Sequence, residues 1–129
     1  MNDIIKAVII AADTLNANGR IYPRGALEKT VAGEVRKGRT WVTLGMPRGA
    51  RLELDEIVGQ AGNWSWDGDN LQAEIVLMST PRGEEVKALL EAKNEFDYRP
   101  AGIGEVDKDG VVTNFRFISI GMLAKGTGA

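Results

Sequence analysis

Neither cysteine nor histidine occurs anywhere in the 129-residue sequence, and each absence closes off some chemistry. Without cysteine there is no disulfide framework and no thiolate nucleophile, and the redox compartment leaves no trace. Without histidine the commonest metal-binding imidazole and the usual base near neutral pH are both missing. No metal or other cofactor is expected. Apolar runs stay far below the length of a membrane span. The opening "MNDIIKAVII" carries Asp3 where a secretory leader needs positive charge, and no small-residue cleavage site closes it, so no leader is expected. The net charge is −2, with acids and bases interspersed. That leaves no clustered basic face of the kind phosphate backbones require, so neither nucleic acid nor a membrane is an expected partner.

What is present is an ordinary globular composition, 43% hydrophobic and 26% charged, in a chain sized for one domain that buries roughly two-thirds of its unfolded surface. "IIKAVII" (4–10) is β-branched and apolar at nearly every position, which predicts a strand buried on both faces. Asn16, Asn18 and Gly19 mark a loop over 11–21. Pro23 suits the first turn of a helix whose apolar face is Leu27, Val31 and Val35 and whose stop is Gly38. "TWVTL" (40–44) alternates as a strand, and "GMPRGARLELD" after it is a loop. A hairpin follows, from about Glu56 to Trp66 and from Leu71 to Ser79 around "DGDN". Leu71, Ala73, Ile75 and Leu77 share one face of its return strand, while Gly59 and Gly62 predict a bulge or a close backbone approach in the outgoing one. "STPRGEEVKALLEAKNE" reads as a second helix with Thr80 as cap and Pro81 in the first turn. "AGIGEVDKDGVVTNFRFISIGM" reads as two strands around "DKDG". The expected fold class is α+β, a mostly antiparallel and strongly bent sheet or closed barrel flanked by two helices. One domain is expected over 1–123, with a flexible tail over 124–129.

Several groups of residues invite a chemical reading. Ser65, Ser79 and Ser119 are the only serines. Their surroundings favour strand and capping hydroxyls, although a serine–lysine pairing stays open because lysine placement is invisible in sequence. Trp64 and Trp66 share a face, as a stacking platform or, more simply, as core and rim packing. Glu53, Asp55 and Glu56 in "LELDE" offer an acid/base pair or a weak cation site, against the plainer reading of a solvated strand edge. Gly102 and Gly104 precede no helix, so they serve close strand packing and not a phosphate cradle. Arg48, Arg51, Arg82 and Arg99 are the candidates for charged contacts with a partner.

Three blocks in order, "NANGRIYPRGALEKTV", "WDGDNLQAEIVLMSTPRGEEVKALLE" and "AGIGEVDKDGVVTNFRFISIGML", resemble those of the tailed-phage prohead (capsid maturation) serine proteases. The resemblance covers most of the chain and implies a barrel similar to the herpesvirus assemblin fold. It also implies a catalytic histidine in a Gly-Glu-x-x-His-Pro loop and a nucleophilic serine in a Ser-Ser-Arg-Gly-x-Gly segment. Here the first region reads "LGMPRG", with Met46 where the histidine would stand, and the second reads "DYRPAGIG", with Arg99 and Pro100 in the serine's region. Methionine accepts no proton and proline has no hydroxyl. A serine needs a positioned base, and losing either partner of such a unit removes on the order of a million-fold in rate.

The expectation is therefore an inactive member of that family and not an enzyme. It would be a phage virion structural protein bound to the major capsid protein as a head decoration (cement) or minor capsid component. It would be made in the bacterial host cytoplasm, located in the phage head, and possibly homo-oligomeric on the shell. Loops 11–22 and 46–52 would supply the contacts, with Arg20, Tyr22, Arg48, Arg51, Arg82 and Arg99 as candidates. A divergent prohead protease, or a pseudoprotease that regulates head maturation, is the alternative.

Overall fold

The computed structural model describes residues 4–125. Six strands form one sheet: β1 (Ile4–Ala11), β2 (Thr40–Leu44), β3 (Ile57–Asp67), β4 (Asn70–Leu77), β5 (Phe96–Val106) and β6 (Val112–Ala124). Their order is β1-β4-β3-β2-β6-β5, antiparallel throughout except for β2 beside β6. Two helices, α1 (Arg24–Lys37) and α2 (Pro81–Glu91), pack α1 against β6 and α2 against β3 and β4. The sheet is so strongly curled that its two end strands, β1 and β5, approach each other. The outcome is a bent half-barrel in an α+β fold, as the sequence predicts.

Local chemistry explains most of the elements. In β4 the residues Leu71, Ala73, Ile75 and Leu77 all face the core, the period-two pattern of a half-buried strand. Both glycine expectations in β3 hold. A Cβ on Gly59 would meet the Val76 carbonyl at 2.5 Å, and the register shifts between Gly62 and Ser65 with Asn63 at φ 47°. That bulge bends the long hairpin. Thr80 caps α2 by accepting the Gly83 N–H at 3.0 Å, with Pro81 as the first helical residue. Gly38 ends α1 in the left-handed conformation, φ 93°, donating to the Glu34 and Val35 carbonyls. Gly102 faces the Arg116 carbonyl and the Phe115 ring closely enough to exclude a side chain.

Four expectations are corrected. β1 is a terminal strand with one outward face, so Ile4 and Val8 are about half exposed where burial on both faces was expected. The buried face of α1 is Leu27, Thr30 and Glu34, and Val35 points out. Burial of these polar groups is possible because each finds a partner: Thr30 donates to the Phe115 carbonyl at 2.8 Å, and Glu34 accepts from Thr40 at 2.6 Å and pairs with Lys37 at 2.9 Å. α2 stops at Glu91, and the chain re-enters the sheet at Phe96, five residues before the expected Ala101. Pro100 is tolerated there because β5 is the end strand and needs no donor on its open side. "LELDE" is a loop closed by a 3-10 turn over Leu54–Glu56, not a strand edge. At the C-terminus, Ala124 is the last residue of β6, and Lys125 is tied to Glu95 through a backbone bond of 3.0 Å and an ion pair of 3.2 Å. The rest of the expected tail, 126–129, lies outside the described residues.

Candidate functional site

The loop 12–22 is held at both ends. Asp13 N–H bonds the Tyr22 carbonyl, and the Asn16 carboxamide oxygen accepts the N–H groups of Asn18 and Arg20, each at 2.9 Å. Ile21 donates to the Gly110 carbonyl and accepts from Val112, so the loop is stitched to the turn between β5 and β6. Tyr22 then packs edge-on against Phe115, which packs against Phe117, which meets Trp64. This aromatic chain is the packing role expected of Trp64. Trp66 lies beneath the Arg24 guanidinium at 4.1 Å, and Arg24 also bonds the Gly68 carbonyl at 2.8 Å. Arg24 had no signal in the sequence, since its partners sit on the distant hairpin tip.

So anchored, the loop forms one wall of a cleft of about 280 Å³ whose other walls are the end of β1, Met46, and residues 98–100 of β5. Met46, Arg99 and Pro100, far apart in sequence, therefore line one cleft together with Arg20 and Tyr22. Tyr98 joins them, a residue that sequence reasoning missed because the strand that carries it was expected to begin only at Ala101. Among the described residues lining the cleft, the charged side chains are the two arginines, and no serine or carboxylate is present. Burial pushes the pKa of both Tyr22 and Tyr98 up, against a smaller lowering of Tyr22 by Arg20. Both phenols therefore stay protonated near neutrality and can hydrogen-bond but not take up a proton as phenolate.

The other side of Met46 borders a smaller hollow of about 170 Å³ with Arg48, Asp55, Glu56 and Arg82. Here the charges are matched. Arg48 bonds Asp55 at 2.9 Å and lies 3.6 Å from Glu56, and Asp55 foremost pushes the pKa of the guanidinium up. Glu56 receives the backbone N–H groups of Glu53 and Arg48 at 3.0 and 2.9 Å, and these bonds hold its carboxyl below the usual range. The acid/base reading of Glu53, Asp55 and Glu56 thus gives way to one in which they shape a loop. Arg82 reaches Glu85 at 3.9 Å, and Arg51 is exposed in the loop outside both hollows.

The serines lie away from the cleft. Ser119 is fully buried 3.0 Å from the Thr43 hydroxyl, which itself donates to the Gly45 carbonyl at 2.8 Å. Ser65 sits in β3 between the tryptophans. Ser79 is exposed, and the Lys87 ammonium lies 3.4 Å from its hydroxyl and 3.3 Å from Glu84. A lysine that serves as a base must first lose its proton, and this ammonium is shared with a carboxylate.

A curled six-stranded sheet with α1 ahead of β2 and α2 between the two hairpins is similar to a known architecture. The solved structure of the bacteriophage T4 capsid assembly protease, gp21, superposes with a TM-score of 0.73 at 20% sequence identity, over 94% of this chain and 79% of that one. The likeness establishes a prohead-protease-like fold. No protein-family model and no curated protein matches the sequence.

Proposed function

We propose that this chain is a non-catalytic component of a phage head that binds the capsid shell, as a decoration or minor capsid protein. The observation that carries the reading is the cleft itself: where the resemblance puts a histidine and a serine, Met46, Arg99 and Pro100 stand together with Arg20, two phenols and no carboxylate. Such a surface can bind anionic or carbonyl-rich segments through charge-assisted hydrogen bonds, but it holds no group able to draw a proton from a hydroxyl. The fold it shares with a capsid assembly protease supports a head-related role. Repetition supports the rest, because a shell offers the same epitope many times and a modest contact becomes useful when many copies dock.

The experiment is to incubate the purified protein with capsid shells, then measure both co-sedimentation and the masses of the shell proteins. Co-sedimentation with unchanged masses is expected. A second reading, a divergent protease, is favoured by one contact, that of Lys87 with Ser79. It predicts new cleavage fragments that vanish in Ser79→Ala, and that result would overturn the first reading.

A further inference from the structure

A third hollow is larger than either of those beside Met46. It is a groove of about 1090 Å³ with α1 as one wall, the loop 50–57 as the other and the 113–118 segment of β6 as its floor. Two features set it apart from ordinary surface. Two of its apolar side chains are open: Leu54 is 88% exposed and Ile103 48% exposed. Its charge is one-sided, with Lys29, Arg36, Lys37 and Arg116 against the single carboxylate of Glu34. That carboxylate is only 4% exposed and already held by Thr40 and Lys37. Lys29, Arg36 and Arg116 make no ion pair among the described residues.

Apolar surface rimmed by charge marks sites of association, and here the rim specifies the partner. We propose that this groove docks an acidic amphipathic segment of another protein, its apolar side chains against Leu54 and Ile103 and its carboxylates toward Lys29, Arg36 and Arg116. A nucleic acid would match the charge but not the open aliphatic wall, and Trp41, the indole in the lining, is already covered by Arg39 at 4.2 Å. A second copy of this chain is a weaker match, because two of the three acids on its helix α2 are engaged with their own cations, Glu84 with Lys87 and Glu85 with Arg82, which leaves Glu91 alone on that helix. The groove is separate from the Met46 cleft, so the inference stands whether or not the protein binds a shell.

The test titrates the intact protein into a short fluorescent leucine–glutamate peptide and into the same peptide with lysine replacing glutamate. The acidic peptide is expected to bind about tenfold or more tightly than the basic one, with the difference shrinking as salt rises. Arg36→Glu combined with Arg116→Glu should weaken acidic-peptide binding by about tenfold or more, and Leu54→Ser should weaken it at any salt. Lys6→Glu with Lys108→Glu, both exposed and outside the groove and the Met46 cleft, should leave it unchanged. Amide shifts on α1 and at Ile103 should report the contact. Equal binding of the two peptides, insensitivity to the groove substitutions, or self-association that consumes the groove would each overturn the proposal.

Discussion

Met46 divides two neighbourhoods that look alike in sequence and differ in electrostatics. On one side, Arg48 is satisfied by Asp55 and Glu56 and serves to fold a loop. On the other, Arg20 and Arg99 share a cleft with two phenols and no carboxylate. An exposed arginine in a loop is therefore not automatically free for a partner. The first group has spent its charge on carboxylates of its own chain; in the second, Arg20 gives a long hydrogen bond of 3.5 Å to the Asn18 carbonyl, and no carboxylate lines the cleft. Substitutions on the Arg48 side should be read in folding, and those on the Arg99 side in binding.

The largest effect should come at the seam between the two. Gly121 of β6 pairs with Thr43 on one flank and Arg99 on the other, and a Cβ there would lie 2.8 Å from the Met46 sulfur and 2.9 Å from the Gly45 carbonyl. Gly121→Ala should cost about 1–3 kcal/mol in urea unfolding through overpacking and should weaken shell binding too. A neutral result would show that the two sides are not mechanically joined through Met46. Next, Arg20→Ala with Arg99→Ala should reduce shell co-sedimentation by about tenfold with an unchanged melting temperature. A loss of melting temperature instead would erase the distinction drawn here.

Arg48→Ala should do the reverse. Amide hydrogen exchange over 46–56 should quicken while shell binding, compared at equal folded protein, stays the same. The smallest effect is one of pH. Because the folded Glu56 carboxyl is held below its ordinary value by backbone N–H donors, its contribution is complete above the ordinary glutamate range and disappears as pH falls through the lowered folded value. Exchange at the Glu53 and Arg48 amides, corrected for its intrinsic pH dependence, should rise on acidification across that window, and Glu56→Gln should abolish the dependence.

Much of the fold was legible because its signals are local. The alternation of Leu71, Ala73, Ile75 and Leu77, the cap at Thr80, the stop at Gly38 and the bulge near Gly62 each depend on neighbours a few residues away. What failed depended on distant ones. The core face of α1 was misplaced because Thr30 and Glu34 look like surface residues until the Phe115 carbonyl and the Thr40 hydroxyl are brought to them. β1 looked doubly buried because nothing in "IIKAVII" says that one of its faces stays uncovered, and β5 was expected to begin only at Ala101 because nothing near Pro100 says that the strand has an open edge. The convergence of Met46 with Arg99 came from the family resemblance. The difference between Arg48 and Arg99 could not have been seen, since it lies in which carboxylates fold toward which cation. The groove beside α1 was equally hidden, its cations scattered from Lys29 to Arg116.

A quantitative protein census of purified mature phage particles bears most directly on the central claim. The account predicts this chain at high copy number, in simple proportion to the major capsid protein and at its full mass. Its absence from finished particles would contradict the account and leave a maturation factor that departs before the head is complete.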